Sequence, residues 1–190
     1  MLVMYMTDKK QYSQISFYEP QNEERYNEYA AIHNNMSTDE IVWRVNNNLD
    51  KEKYKYVECV TDFDNPCIIV NKYFKLPEDY CPPDLAEADG RLMRKAVAEA
   101  YIKMRDAARS EGFTISVSSA YRSAKDQEDT YNKYLGSFSL PEIVDITGYA
   151  AEPWHLRYVG VDISTDMVKR NIKSLEEYSQ RFINDISKKL

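Results

Sequence analysis

Along this chain the spacing of apolar residues changes from segment to segment, and each change predicts an element. Residues 1–22 scatter aromatics among polar positions as far as Pro20 and read as an irregular N-terminal lead. Residues 23–34 read as a helix. Ser37-Thr38-Asp39-Glu40 then has the spacing of a capping box, in which a serine and an acid three residues later satisfy free N–H groups at a helix start. It predicts a short helix through Ile41, Val42 and Val45, closed by Asn46-Asn47-Asn48. β-Branched and aromatic runs at 54–60 and 67–70, separated by turn-forming residues 61–66, predict two strands.

Residues 76–84 hold Pro77, Pro82 and Pro83 and are expected as extended loop. From 85 to 111, apolar positions at Leu92, Met93, Ala96, Val97, Ala100, Tyr101, Met104 and Ala108 recur at intervals of three and four, predicting one long helix with a single buried face. Gly112 is its expected C-cap. Phe113, Ile115 and Val117 alternate with Thr114, Ser116 and Ser118, the period of a half-buried strand, which leads into Ser119-Ala120-Tyr121-Arg122. A second box, Ser123 with Asp126, opens a helix expected to reach about residue 135 before Gly136 stops it. The C-terminal 25 residues read as one or two helices. Ser174-Leu-Glu-Glu177 opens the last, with Leu175, Tyr178, Phe182, Ile186 and Leu190 at helical spacing. With no repeat or linker in view, 23–190 is expected to form one domain.

Composition narrows the function classes. A 43% hydrophobic fraction with 16 tyrosines can fill a core, so a disordered chain is excluded. The 31 Asp+Glu against 25 Lys+Arg give a net charge of -6, which disfavours nucleic acid as a partner because phosphate binding needs a basic face. Cys59, Cys67 and Cys81 match neither a zinc knuckle nor a redox pair, leaving buried thiols or a Cys59–Cys67 disulfide as the two readings. No apolar run is long enough for a membrane span, and residues 1–6 lack the basic flank of an export signal.

The chain has only two histidines, the tightest limit on its chemistry. His33 falls on a polar helix and reads as a solvated surface residue. His155 lies in Gly148-Tyr-Ala-Ala-Glu-Pro-Trp-His-Leu-Arg-Tyr-Val-Gly160, where Glu152 is held extended by the proline that follows it. A carboxylate three residues before an imidazole can set a general base beside a metal-bound water if the metal has other ligands. The other reading is a buried aromatic strand that contains a histidine. Arg122, among Ser118, Ser119 and Tyr121, suits a two-pronged grip on a carboxylate. An ordinary salt bridge is its alternative.

Ser118-Ser-Ala-Tyr-Arg-Ser123 with Gln127, and Ile146-Thr-Gly-Tyr-Ala-Ala-Glu-Pro-Trp-His-Leu-Arg-Tyr-Val-Gly160, resemble the two signature segments of the VanY-type D-alanyl-D-alanine carboxypeptidases. Val70-Asn-Lys-Tyr-Phe-Lys-Leu-Pro77 with Tyr80, Pro82 and Leu85, and Val42-Trp-Arg-Val-Asn46, are similar to that family's lead-in, so the resemblance runs from about Glu23 onward. It implies an α+β fold, an antiparallel sheet with flanking helices, and a zinc peptidase that removes the terminal D-alanine from peptidoglycan stem peptides at the cell wall or outside the cell. By that resemblance Glu152 is the general base and His155 a zinc ligand. Arg122, with Ser119, Tyr121 and Gln127, binds the substrate carboxylate, and Trp154 walls the site.

The chain departs from the family pattern between its two signatures. There the family carries Ser-x-His-x-x-Gly-x-Ala-x-Asp, which supplies two further zinc ligands; here only residues 136–146 intervene, without a histidine. Asp145 is expected to be a plain loop acid. One imidazole should hold zinc weakly or not at all, so the expectation is an impaired metallopeptidase, or an inactive remnant that binds cell-wall peptides through Arg122 and Trp154. A shortened middle, consistent with only 5 glycines, would also expose strand edges and apolar faces, and self-association is a further expectation.

Overall fold

In the computed structural model, residues 12–134 and 155–182 are described, and they carry six α-helices with two two-stranded sheets, an α+β architecture. Of these, 12–76 with 159–182 group into one compact unit and 77–134 with 155–158 into another.

In the first unit, α1 (Glu23–Ile32) and α2 (Thr38–Asn46) pack through Tyr26, Tyr29, Ile41, Val42 and Val45. The segment before them joins this core, with Tyr12 buried and its ring 5.3 Å from that of Tyr26. The asparagine run that ends α2 does more than end it. The Tyr26 hydroxyl donates to Asn46 Oδ1 at 2.6 Å, Asn46 Nδ2 donates to the Phe17 carbonyl at 2.8 Å, and Asn47 Nδ2 donates to the carbonyls of Trp43 and Glu176. Buried amides are tolerated when paired in this way. α5 (Val161–Lys169) and α6 (Leu175–Arg181) close a second cluster around Cys67, Ile163 and Tyr178.

The strands of this unit differ from expectation. β1 (Glu58–Cys59) and β2 (Phe74–Lys75) pair in parallel, and 67–70 is not a strand. A side-chain amide captures the backbone there instead: Asn65 Oδ1 accepts from the Cys67 N–H at 2.8 Å, while Asn71 Oδ1 accepts from the N–H groups of Tyr73 and Phe74 at the start of β2. Such local bonds compete with a strand ladder. All three cysteines are free; Cys67 is a buried thiol as one reading expects, but Cys59 and Cys81 are exposed, and no Cys59–Cys67 disulfide forms.

In the second unit the expected helix from 85 begins ten residues late. β3 (Leu85–Ala88) and β4 (Arg91–Arg94) form an antiparallel hairpin, and α3 runs Lys95–Ser110. Asp89 and Gly90, at φ 49 and 74, make the two-residue turn. Positive φ at both positions matches the right-handed twist of the flanking strands. Asp89 is further held by the Tyr101 hydroxyl at 2.6 Å and by Arg105 Nη1. α3 ends as expected at Gly112, φ 86, with Phe113 N donating to Ala108 O and Gly112 N to Arg109 O, both bonds of a Schellman cap. The core here is small: Ala88, Met93 and Ala98, with Val97, Tyr101, Val117 and Ala120 against it.

Candidate functional site

Three features of the second unit fix the segment that carries Arg122. Residues 114–118 keep their alternation, with Ile115 and Val117 half-buried and their neighbours exposed, while Phe113 departs from it and is exposed; among the described residues the segment forms no strand. Apolar packing on α3 and the hairpin preserves the pattern without a ladder. Next, Tyr121 N donates to the Leu92 carbonyl of β4 at 2.7 Å, which ties the segment to the hairpin. Third, α4 (Ala124–Tyr134) starts immediately afterwards with the expected box: Ser123 Oγ accepts from Asp126 N at 3.1 Å and donates to the Asp126 carboxylate at 2.6 Å.

Between those two anchors the Arg122 guanidinium meets two of the residues grouped with it. Its Nη1 donates to Gln127 Oε1 at 2.6 Å and its Nη2 to Ser119 Oγ at 3.3 Å. Both acceptors are neutral, and among the described residues Arg122 has no carboxylate partner, so the ordinary salt bridge is not what holds it. Tyr121 turns elsewhere. The Cys81 thiol beside its hydroxyl raises the phenol pKa from its ordinary value, burial adds to this, and the charges of Cys81 and Asp126 push the same way. The phenol therefore remains a protonated donor at neutral pH. Cys81, from the proline-rich loop, was not singled out by the sequence, because nothing in its spacing tied it to residue 121.

His155 is exposed and lies in the irregular stretch before α5. Glu152, Trp154 and Asp145 lie outside the described residues. His33 is the C-cap of α1, its ring 4.2 Å from that of Tyr29. Among the described residues no group of three His, Cys, Asp or Glu side chains is arranged to hold a metal ion. No described helix is long and apolar enough to cross a membrane.

The sequence model of the VanY family, D-alanyl-D-alanine carboxypeptidase, matches residues 90–144, from the hairpin turn through α3, Arg122 and α4. Over that segment the chain is similar to the VanY-type carboxypeptidases. It is also 26% identical over 201 residues to the Bacillus subtilis (strain 168) protein named "Putative carboxypeptidase YodJ", an alignment covering 70% of this chain and 73% of that protein. Since 70% of 190 residues is about 133, roughly a third of the 201 aligned positions have no counterpart in this chain. The family is zinc-dependent, and the donors described here do not fit a catalytic zinc, which takes three protein ligands with a fourth position for water. His155 is the sole histidine of the second unit, and one imidazole does not complete such a site.

Proposed function

We propose that this VanY-type, carboxypeptidase-like chain recognises peptidoglycan stem peptides ending in D-alanine, with Arg122 closing on the free C-terminal carboxylate. The observation that carries this is the way Arg122 is held: two neutral side chains orient the guanidinium, and among the described residues no carboxylate cancels its charge. An arginine so arranged favours a carboxylate, since a charge-assisted fork is about twice as strong as a neutral pair. Tyr121, whose phenol keeps its proton, stands next to it in sequence. By the family resemblance Glu152 would be the general base, His155 a zinc ligand and Trp154 a wall of the site.

Turnover is proposed to be impaired. A base at Glu152 acts only on a water whose pKa a metal has already lowered, and His155 alone would hold zinc weakly. The second reading, a peptide-binding protein without hydrolytic activity, is favoured by the same donor count and by the relative's longer matched region. Incubation of the full chain with a muramyl pentapeptide and zinc, followed by assay of free D-alanine, separates the two. No release is expected. Zinc-dependent release that Glu152→Gln abolishes would restore the metallopeptidase reading.

A further inference from the structure

Gln127 and Ser119 were grouped with Arg122 as direct ligands of the peptide, but each commits an acceptor to the arginine itself. We propose that Gln127, assisted by Ser119, is a positioning residue that acts on the peptide only through Arg122; this rests on the carboxylate-grip reading above. Gln127 sits in the first turn of α4, where its N–H donates to the Ser123 carbonyl at 2.9 Å. The reciprocal Ser123 and Asp126 bonds lock that turn, so the Gln127 side chain reaches back across the cap from a fixed base. Its Oε1 takes one Nη1 proton at 2.6 Å, and Ser119 Oγ takes one from Nη2.

A guanidinium has five N–H bonds, and these contacts use two. The remaining three are enough for a two-pronged contact with a carboxylate. An exposed arginine would otherwise lose rotamer freedom when a ligand arrives, and ordering it beforehand removes that cost from binding. The neutrality of the acceptor is part of the device. Glutamine fixes the geometry without cancelling the charge; a glutamate in its place would hold Arg122 as firmly and fill the grip from within.

The test uses the full chain and acetyl-L-Lys-D-Ala-D-Ala as free acid, with affinity read by calorimetry or, for weak variants, by NMR titration. Gln127→Ala should weaken binding about tenfold, the size of one lost charge-assisted bond, and should have no further effect in an Arg122→Ala background. Gln127→Glu should abolish binding. In 15N NMR of the guanidinium groups without peptide, the separate Arg122 Nη signals should persist in Gln127→Glu and collapse in Gln127→Ala. Equal weakening by Gln127→Ala in both backgrounds, or Nη signals indifferent to residue 127, would overturn the proposal. If no peptide binds at all, the grip reading fails, and the NMR comparison alone decides whether Gln127 positions Arg122.

Discussion

The two units solve different problems. The first buries large rings, with Trp43 at 2%, Tyr26 at 0% and Tyr178 at 0% exposure, and ties α1, α2 and α6 together through the amides of Asn46 and Asn47. Among the described residues the second buries only Ala88, Met93 and Ala98, leaves Phe113 at 65% and Leu92 at 47% exposure, and yet carries the Arg122 cluster and most of the family match. Bulk packing and chemistry are thus divided: the unit with the larger core holds none of the candidate site residues that are described, and the unit with the Arg122 cluster depends on turns, caps and single tethers. Turns, caps and tethers hold the Arg122 segment locally, while adding less to stability than a deep core.

Truncating Trp43 should break the first unit hardest. Trp43→Ala is expected to cost about 3–5 kcal/mol, whereas Ala98→Gly in the second unit's core should cost about 1 kcal/mol. Trp43→Phe should be much milder, because the indole N–H has no hydrogen-bond partner among the described residues to lose. Urea unfolding of the three variants checks this, and equal losses for Trp43→Ala and Ala98→Gly would erase the contrast between the units.

The next effect concerns caps with the same sequence signature and different structures. Ser174 Oγ accepts from Glu177 N at 3.2 Å and Ser123 Oγ from Asp126 N, while Ser37 makes no such cap bond and donates instead to Asp39. Ser174→Ala should therefore cost about 1 kcal/mol, and Ser37→Ala clearly less, by thermal unfolding. Ser123→Ala sharpens the comparison further, since it should loosen Arg122 with little change in the first unit.

These caps also mark how far the sequence was legible. Helix starts at Ser37, Ser123 and Ser174 were readable because a serine and an acid three apart leave few other uses for that spacing. The hairpin at 85–94 was missed although Asp89-Gly90 is a strong turn signal, because Leu92, Met93, Ala96 and Val97 also fit a helical face. The strand expected at 67–70 gives way where Asn65 captures the Cys67 N–H, a bond no periodicity count can weigh. At the site, the grouping of Arg122 with Ser119 and Gln127 was legible from the signature. The direction of their bonds was not, since only folding decides that the amide serves the arginine.

The smallest expected effect is the pH response. In the second unit, the bond from Tyr101 and the Arg105 guanidinium lower the Asp89 pKa against a burial effect that raises it, and the bond from Arg94 lowers that of Asp84. In the first unit burial pushes Asp39 up, but the Ser37 bond and Arg181 outweigh it and the net shift is down. A carboxyl with a depressed folded pKa stabilises above its unfolded value of 3.8 and loses that contribution as pH falls through the folded value. Melting temperature should therefore fall below about pH 4, and less steeply in Asp39→Asn. An identical acid limb in that variant would remove Asp39 from the account.

The claim on which the functional account turns is that Arg122 closes on a free carboxylate. Calorimetric titration of the full chain with acetyl-L-Lys-D-Ala-D-Ala and with its C-terminal amide tests it most directly. Weak binding of the acid is expected, with at least about tenfold weaker binding of the amide, and loss of that difference in Arg122→Lys, whose single ammonium cannot form the fork. Equal affinity for acid and amide would contradict it.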